Sequence, residues 1–234
     1  MLSEKERKVL DLIGQNKREI IEYLSRLISF KTVSPPDKGK AEGDGYKKLQ
    51  EFVCKTLAGM NFDIDTWEVD ASKLESFPGS GVHPDRDLSN MPVVVGKLRS
   101  GGKGRSLLLN GHIDVAPPGV IGNWNHDPFK GEIVGNKVFG RGACDMKGGV
   151  AAMLGAVKFI HQAGIKLNGD LTIETVPEEE ITEMGTLACC EKGYKADAAI
   201  IPEPTNMNVL VAMRGCVSGK ITVFGRAGHA EMTQ

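Results

Sequence analysis

The chain has 234 residues, 41% of them hydrophobic and 25% charged, with a formal net charge of −1. That length can bury one full core and part of a second domain, while the near-neutral charge and the lack of a long basic run argue against nucleic acid or a membrane surface as partner. No secretory leader and no membrane-spanning apolar run is recognisable, and five cysteines without C-x-x-C spacing fit reduced thiols better than disulfides or a structural zinc site, so a soluble cytoplasmic protein is expected.

In chain order, apolar residues at Leu10, Ile13, Ile20, Tyr23, Leu24, Leu27 and Ile28 predict helix over 3–29, closing before Thr32-Val-Ser-Pro-Pro36. A second amphipathic helix is predicted around Tyr46, Leu49, Phe52, Val53 and Leu57, ended by Gly59. The period then becomes two. Strands are predicted near Phe62–Thr66, Val93–Val95 and Leu107–Leu109, the last buried on both faces. The Ser-, Gly-, Pro- and Asp-rich stretch 71–91 reads as an exposed loop or insertion. A hairpin turning at Gly135-Asn136 is predicted within 130–139, then a small-residue helix over 147–162, strands at 170–176 and 197–201, and a helix near 184–192 between them. This alternation predicts an α/β sandwich with a mostly parallel sheet flanked by helices. A further strand is predicted from Val217, Ile221, Val223 and Phe224, within a domain that the chain only begins.

Four clusters place a metal-binding group at a strand end or a glycine-rich turn, where open α/β sheets bind ligands. His112 and Asp114 follow the apolar run Leu107–Leu109, two apart on one face of a strand. An imidazole so placed can bind a cation through one nitrogen while the carboxylate holds the other; an isolated His-x-Asp pair is more simply a local hydrogen bond. Asp145 lies in Gly140-Arg-Gly-Ala-Cys-Asp-Met-Lys-Gly-Gly149, where it could bridge two ions or cap the following helix. In Glu178-Glu-Glu180, adjacent side chains point apart, so one could bind metal while its neighbour takes a proton; the alternative is a solvated acidic turn. Glu203 is aimed by its flanking Pro202 and Pro204, or is a solvated loop residue. One imidazole with three carboxylates suits Zn²⁺, Co²⁺ or Mn²⁺ rather than a thiolate-loving ion. Cys144 and the Cys189-Cys190 pair read as packing, and the loop Trp124–Phe129 as a wall of the site.

At these residues the chain resembles the M20 family of dinuclear zinc hydrolases, through the ordered set Gly-His-Ile-Asp-Val, Gly-Arg-Gly-x-x-Asp-Met-Lys-Gly-Gly, Glu-Glu and Pro-Glu-Pro-Thr. The resemblance implies a catalytic α/β domain over 1–214 and, from 215 to 234, the beginning of a smaller lid domain through which full-length members often form homodimers. It implies two divalent ions, Zn²⁺ first. His112 and Glu203 would bind one, Asp145 would bridge, and Glu180 would bind the other; Asp114 would orient His112. Glu179 would be the general base, the pair being placed by counting back from Gly185-Thr186, and Thr182-Glu183 stands where the family has glycines. His229 would be the lid histidine that stabilises the oxyanion in a neighbouring subunit's site.

The family continues through the lid and back into the catalytic domain, which supplies a last histidine ligand. A molecule closing at Gln234 is expected to have an incomplete second metal site and little catalysis. The expected activity is removal of an acyl group from a small N-acyl amino acid, N-acetylornithine first, with a deformylase, dipeptidase or carboxypeptidase as the enzymatic alternative. A non-catalytic metal-binding or dimerising fragment is the alternative of another class.

Overall fold

The structure, a computed structural model, describes residues 2–35, 39–77, 82, 86–212, 215, 221–225 and 228. The chain divides into two units, Met1–Pro204 and Thr205–Gln234. The first opens with α1 (Glu4–Gln15), started by a capping box in which Ser3 and Glu6 bond each other's backbone amides. The single helix predicted over 3–29 is broken at Asn16, whose side-chain amide folds back to donate to the Leu12 carbonyl at 2.8 Å. Its non-helical backbone, with φ −116° and ψ 23°, ends α1 and starts α2 (Lys17–Ser29), so the continuous apolar period spans two helices.

Next come α3 (Gly45–Ala58), β1 (Asp63–Glu68) and the short α4 (Ala71–Leu74), capped by Asp70. They are followed by β2 (Pro92–Leu98), β3 (Leu107–His112), the hairpin β4 (Glu132–Val134) and β5 (Lys137–Phe139), and α5 (Lys147–Gln162). Then β6 (Leu171–Val176), α6 (Met184–Glu191) and β7 (Ala198–Ile200) complete the unit. The hairpin turns at Gly135-Asn136, where Gly135 takes a φ of 58° that suits a residue without Cβ.

Five strands form one sheet in the order β1-β2-β6-β3-β7. The pairs β1–β2 and β2–β6 are antiparallel, and β6–β3 and β3–β7 parallel, so β2 alone runs against the other four and the sheet is mostly parallel. All six residues of β6 are buried because both faces are covered. On one face α3 packs through Leu49, Val53 and Leu57, and Gln50 exchanges hydrogen bonds with Thr175. On the same face α5 lies over Gly111, through Val150 and Met153. On the other face α6 covers Val176, and Glu174 accepts a hydrogen bond from Asn110 at 2.8 Å.

In the stretch 71–91, Ser72, Lys73, Glu75, Ser76, Asp87, Ser89 and Asn90 are exposed as predicted, but four described residues depart from that expectation. Leu74, Arg86, Leu88 and Met91 are all buried, so their side chains go into the protein from a segment whose composition is polar. In the second unit, Thr205 and Asn208 close a turn, and the described residues 221–225 carry no strand. No described helix is long and apolar enough to cross a membrane.

Gly149, in the first turn of α5, sits directly beneath the Pro202 carbonyl, where a Cβ has no room. Gly149→Ala should therefore displace the backbone that carries Glu203 and lower stability by about 1–3 kcal/mol, measured as a fall in the urea midpoint; an unchanged midpoint would show that the two segments do not touch.

Candidate metal centre

The site is built where β3 ends. Beyond His112 the chain runs beside the segment that follows α2: the Val115 amide donates to the Thr32 carbonyl and the Ser34 amide to the Val115 carbonyl, both at 2.9 Å. The Thr32 hydroxyl donates to the Ile113 carbonyl at 2.6 Å. This pairing sets Ser34 against Asp114, whose side chain has no solvent exposure. Its carboxylate accepts from the Ser34 hydroxyl at 2.7 Å and from the amides of Glu179 and Glu180, each at 3.1 Å. Burial opposes the charge on Asp114, yet the neighbouring His112 and these donors hold its carboxyl below the usual range.

His112 is almost fully buried. Its Nδ1 lies 3.0 Å from the Asp114 main-chain oxygen and 3.5 Å from the Asp114 carboxylate. Because a carbonyl oxygen can only accept, Nδ1 carries the proton. The orienting partner expected of Asp114 is thus first its backbone and second its side chain. Nε2 faces three carboxylates: Asp145 at 3.0 Å, Glu179 at 3.6 Å and Glu203 at 3.6 Å.

Asp145 is not a helix cap, since α5 begins after Met146 without any side-chain cap; its carboxylate stays free to face His112. Lys147, just inside α5, is fully buried and donates its ammonium to the carbonyls of Leu27 and Phe30, which fastens this turn to the end of α2. The acidic run divides. Glu178 turns into the protein and pairs with Arg86, Glu179 faces His112, and Glu180 accepts from the Ala116 amide at 3.1 Å.

One ligand atom each from His112, Asp145 and Glu203 lies within 4.8 Å of the others. Glu180 stands outside this triad, close enough for the charge of Asp145 to raise its pKa further after burial has done so. Among the described residues no lysine or arginine forms an ion pair with Asp145, Glu179, Glu180 or Glu203. Burial first, and then Glu203, Asp114 and Glu180, push Glu179 up to about 7. Glu203 is raised by burial and by Asp145 and Glu180. Burial disfavours a charged His112, but Asp114, Glu179 and Glu203 outweigh it and lift the imidazole to about 10. Oxygen donors that repel one another around one inward-facing nitrogen fit a divalent cation.

His229 lies outside the described residues. Trp124 is held by its indole N–H on the Pro118 carbonyl and by the Arg141 guanidinium over its ring. The four described cysteines are free. Three contributors were not read from the sequence as site residues: Ser34, Arg86 and Lys147. Lys147 lies inside the glycine-rich motif and was signalled by it; Ser34 and Arg86 reach the site only through the tertiary fold.

Residues 108–229, just over half of the chain, match the family model for Peptidase family M20/M25/M40. The chain is 37% identical over 213 residues to an N-formyl-4-amino-5-aminomethyl-2-methylpyrimidine deformylase of Bacillus subtilis, covering 90% of this chain and 44% of that protein. It is 39% identical over 154 residues to a succinyl-diaminopimelate desuccinylase of Methylorubrum extorquens, covering 61% of this chain and 39% of that protein. The chain thus spans less than half the length of these relatives. An M20 family metallo-carboxypeptidase from Sulfolobus solfataricus shares its fold with a TM-score of 0.61 at 24% identity, over 79% of this chain and 37% of that one. Human carnosine dipeptidase 1 does so with a TM-score of 0.66 at 21% identity, over 83% of this chain and 40% of that one. With the motif order, the sheet and the family match in agreement, the chain belongs to the peptidase family M20/M25/M40.

Proposed function

We propose that the protein is a metal-dependent hydrolase of the linear amide bond in a small N-acyl substrate. The observation that carries this reading is the convergence of His112, Asp145 and Glu203 on one point, with the Glu179 carboxylate beside them. Two divalent ions, Zn²⁺ first and Co²⁺ or Mn²⁺ next, would supply Lewis acidity to water and to the amide carbonyl. The protein's own residues do the rest. His112 and Glu203 would hold one ion, Asp145 would serve both, and Glu180 would serve the second. Asp114 fixes the His112 tautomer, and Glu179 takes a proton from the attacking water and returns it to the leaving nitrogen.

For the acyl group we place formyl ahead of the acetyl of N-acetylornithine. The support is that the deformylase of Bacillus subtilis matches along 90% of the chain, whereas the desuccinylase matches along 61%. On the family resemblance alone, we assign residues 1–214 to the catalytic domain and 215–234 to the start of a lid domain, with His229 as its oxyanion-stabilising histidine and homodimerisation as its role. A metal-binding module without catalysis is the rival reading; a carboxylate in Glu179's position has no use in it.

The test is metal content per chain by elemental analysis, beside hydrolysis of N-formyl, N-acetyl and N-succinyl amines, for this chain and for a version continued to the length of its relatives. Bound metal with hydrolysis in the longer form supports the reading; absence of metal in both removes it.

Two outcomes follow from the electrostatics. Glu179→Gln should leave Co²⁺ binding intact while lowering turnover in the hydrolytically active form by roughly 10²–10⁴-fold; loss of metal with no separate loss of turnover would make Glu179 a ligand instead. Because the metal-free His112 titrates near 10 and only its neutral form ligates, Co²⁺ affinity should climb with pH from 7 toward 10, by about tenfold per unit. A flat affinity across pH 7–9 would remove His112 from the ligand set.

A further inference from the structure

The acidic run Glu178–Glu180 presents three identical side chains in succession, and a slip of one residue would send the wrong carboxylate to His112. The structure shows what selects among them. Glu178 and Arg86 both have side chains with no solvent exposure, and they meet as a two-pronged pair: Arg86 Nε donates to Oε1 at 2.7 Å and Nη2 to Oε2 at 3.0 Å. Thr182 adds a third donor to Oε1 at 3.3 Å.

The backbone at Glu178 is left-handed, with a φ of 72°, a conformation that costs a non-glycine residue about 1–3 kcal/mol. Its carbonyl accepts from the Glu183 amide at 2.7 Å. Immediately after it, the amides of Glu179 and Glu180 both aim at the Asp114 carboxylate, an arrangement of successive N–H groups suited to an anion. The strained residue is thus held by its side chain, and the two amides that follow inherit their direction from it.

We propose that Arg86 is a positioning residue that fixes the register of the acidic run, drawing Glu178 inward so that Glu179 and Glu180 bind Asp114 and turn their carboxylates to the metal centre. This rests on the proposed roles of Glu179 and Glu180. The physical ground is that a buried carboxylate is tolerated only beside a cation with matching donors, and among the described residues Arg86 is the cation paired with Glu178. Among the described residues neither Glu179 nor Glu180 has such a partner, which leaves Glu178 as the member of the run that goes in.

The test uses two variants of this chain. The double variant Arg86→Met, Glu178→Leu removes both buried charges and so avoids stranding either one. Arg86→Lys keeps a positive charge and loses the fork. Hydrogen exchange at the Glu179 and Glu180 amides reads the positioning without any metal. It should accelerate roughly a hundredfold in the double variant and roughly tenfold in Arg86→Lys, with the β6 amides unchanged. Co²⁺ affinity should fall at least about tenfold in the double variant. Exchange at both amides within about threefold of the parent in Arg86→Lys and in the double variant would overturn the proposal, as would parental Co²⁺ affinity in the folded double variant. Absence of Co²⁺ binding in both the parent chain and its extended version would overturn the functional reading instead, while the exchange rates still decide whether Arg86 sets the turn.

Discussion

A carboxylate without solvent exposure has to be met on both oxygens, and Asp114 imposes that requirement on three separate parts of the chain. It draws in the hydroxyl of Ser34 from the segment after α2, and the two amides of the acidic turn after β6, while sitting two residues beyond the end of β3. Remove the charge and each of these donors loses its acceptor at once. The segment at Thr32–Ser34 would keep its backbone pairing with Val115 and the Thr32 hydroxyl on the Ile113 carbonyl, and the acidic turn would keep its internal bonds, Arg86 and the Ala116 amide. The site is therefore assembled around a buried anion that belongs to the protein.

The sheet explains why those parts are close together. Parallel β3, β6 and β7 finish on the same side, so the residues just past their ends arrive at one place: His112 and Asp114 from β3, Glu179 and Glu180 from β6, Glu203 from β7. The antiparallel β2 ends on the opposite side and sends nothing. Crevices at the carboxyl ends of parallel strands are where such sheets bind ligands. Here the close seat of Pro202 on Gly149 adds the glycine-rich helix start, and with it Asp145, to the same corner.

Much of this was legible in the sequence because it was local. Leu107–Leu109 ahead of His112, the Gly135-Asn136 turn and the small residues of Gly148–Val157 each announce their structure within a few positions, and the four candidate clusters stand out as short local motifs. What stayed hidden depends on long-range contact. A Ser-, Gly- and Pro-rich stretch looks solvated, yet Arg86 and Leu88 are buried because the partners that need them, Glu178 among them, are far away in sequence. Ser34 differs from any other serine only in facing Asp114. The break at Asn16 is invisible to apolar periodicity because apolar residues recur at helical spacing on both sides of it and both helices pack on α5.

The electrostatics of the corner bear on why Glu179 is placed where it is. Burial and three neighbouring carboxylates, opposed by His112, push its pKa up to about 7 when the protein is free of metal. The carboxylates around His112 raise its pKa as well, in its case against the effect of burial, and so favour the cationic imidazole. A cation among His112, Asp145 and Glu203 reverses both preferences: the imidazole must give up its proton to ligate, and the repulsion that protonates Glu179 is offset. Neutralising its neighbours would favour the ionised form of Glu179, the form that the proposed base role requires. In the proposed mechanism, its readiness to accept a proton would thus be coupled through charge to a cation at His112, Asp145 and Glu203.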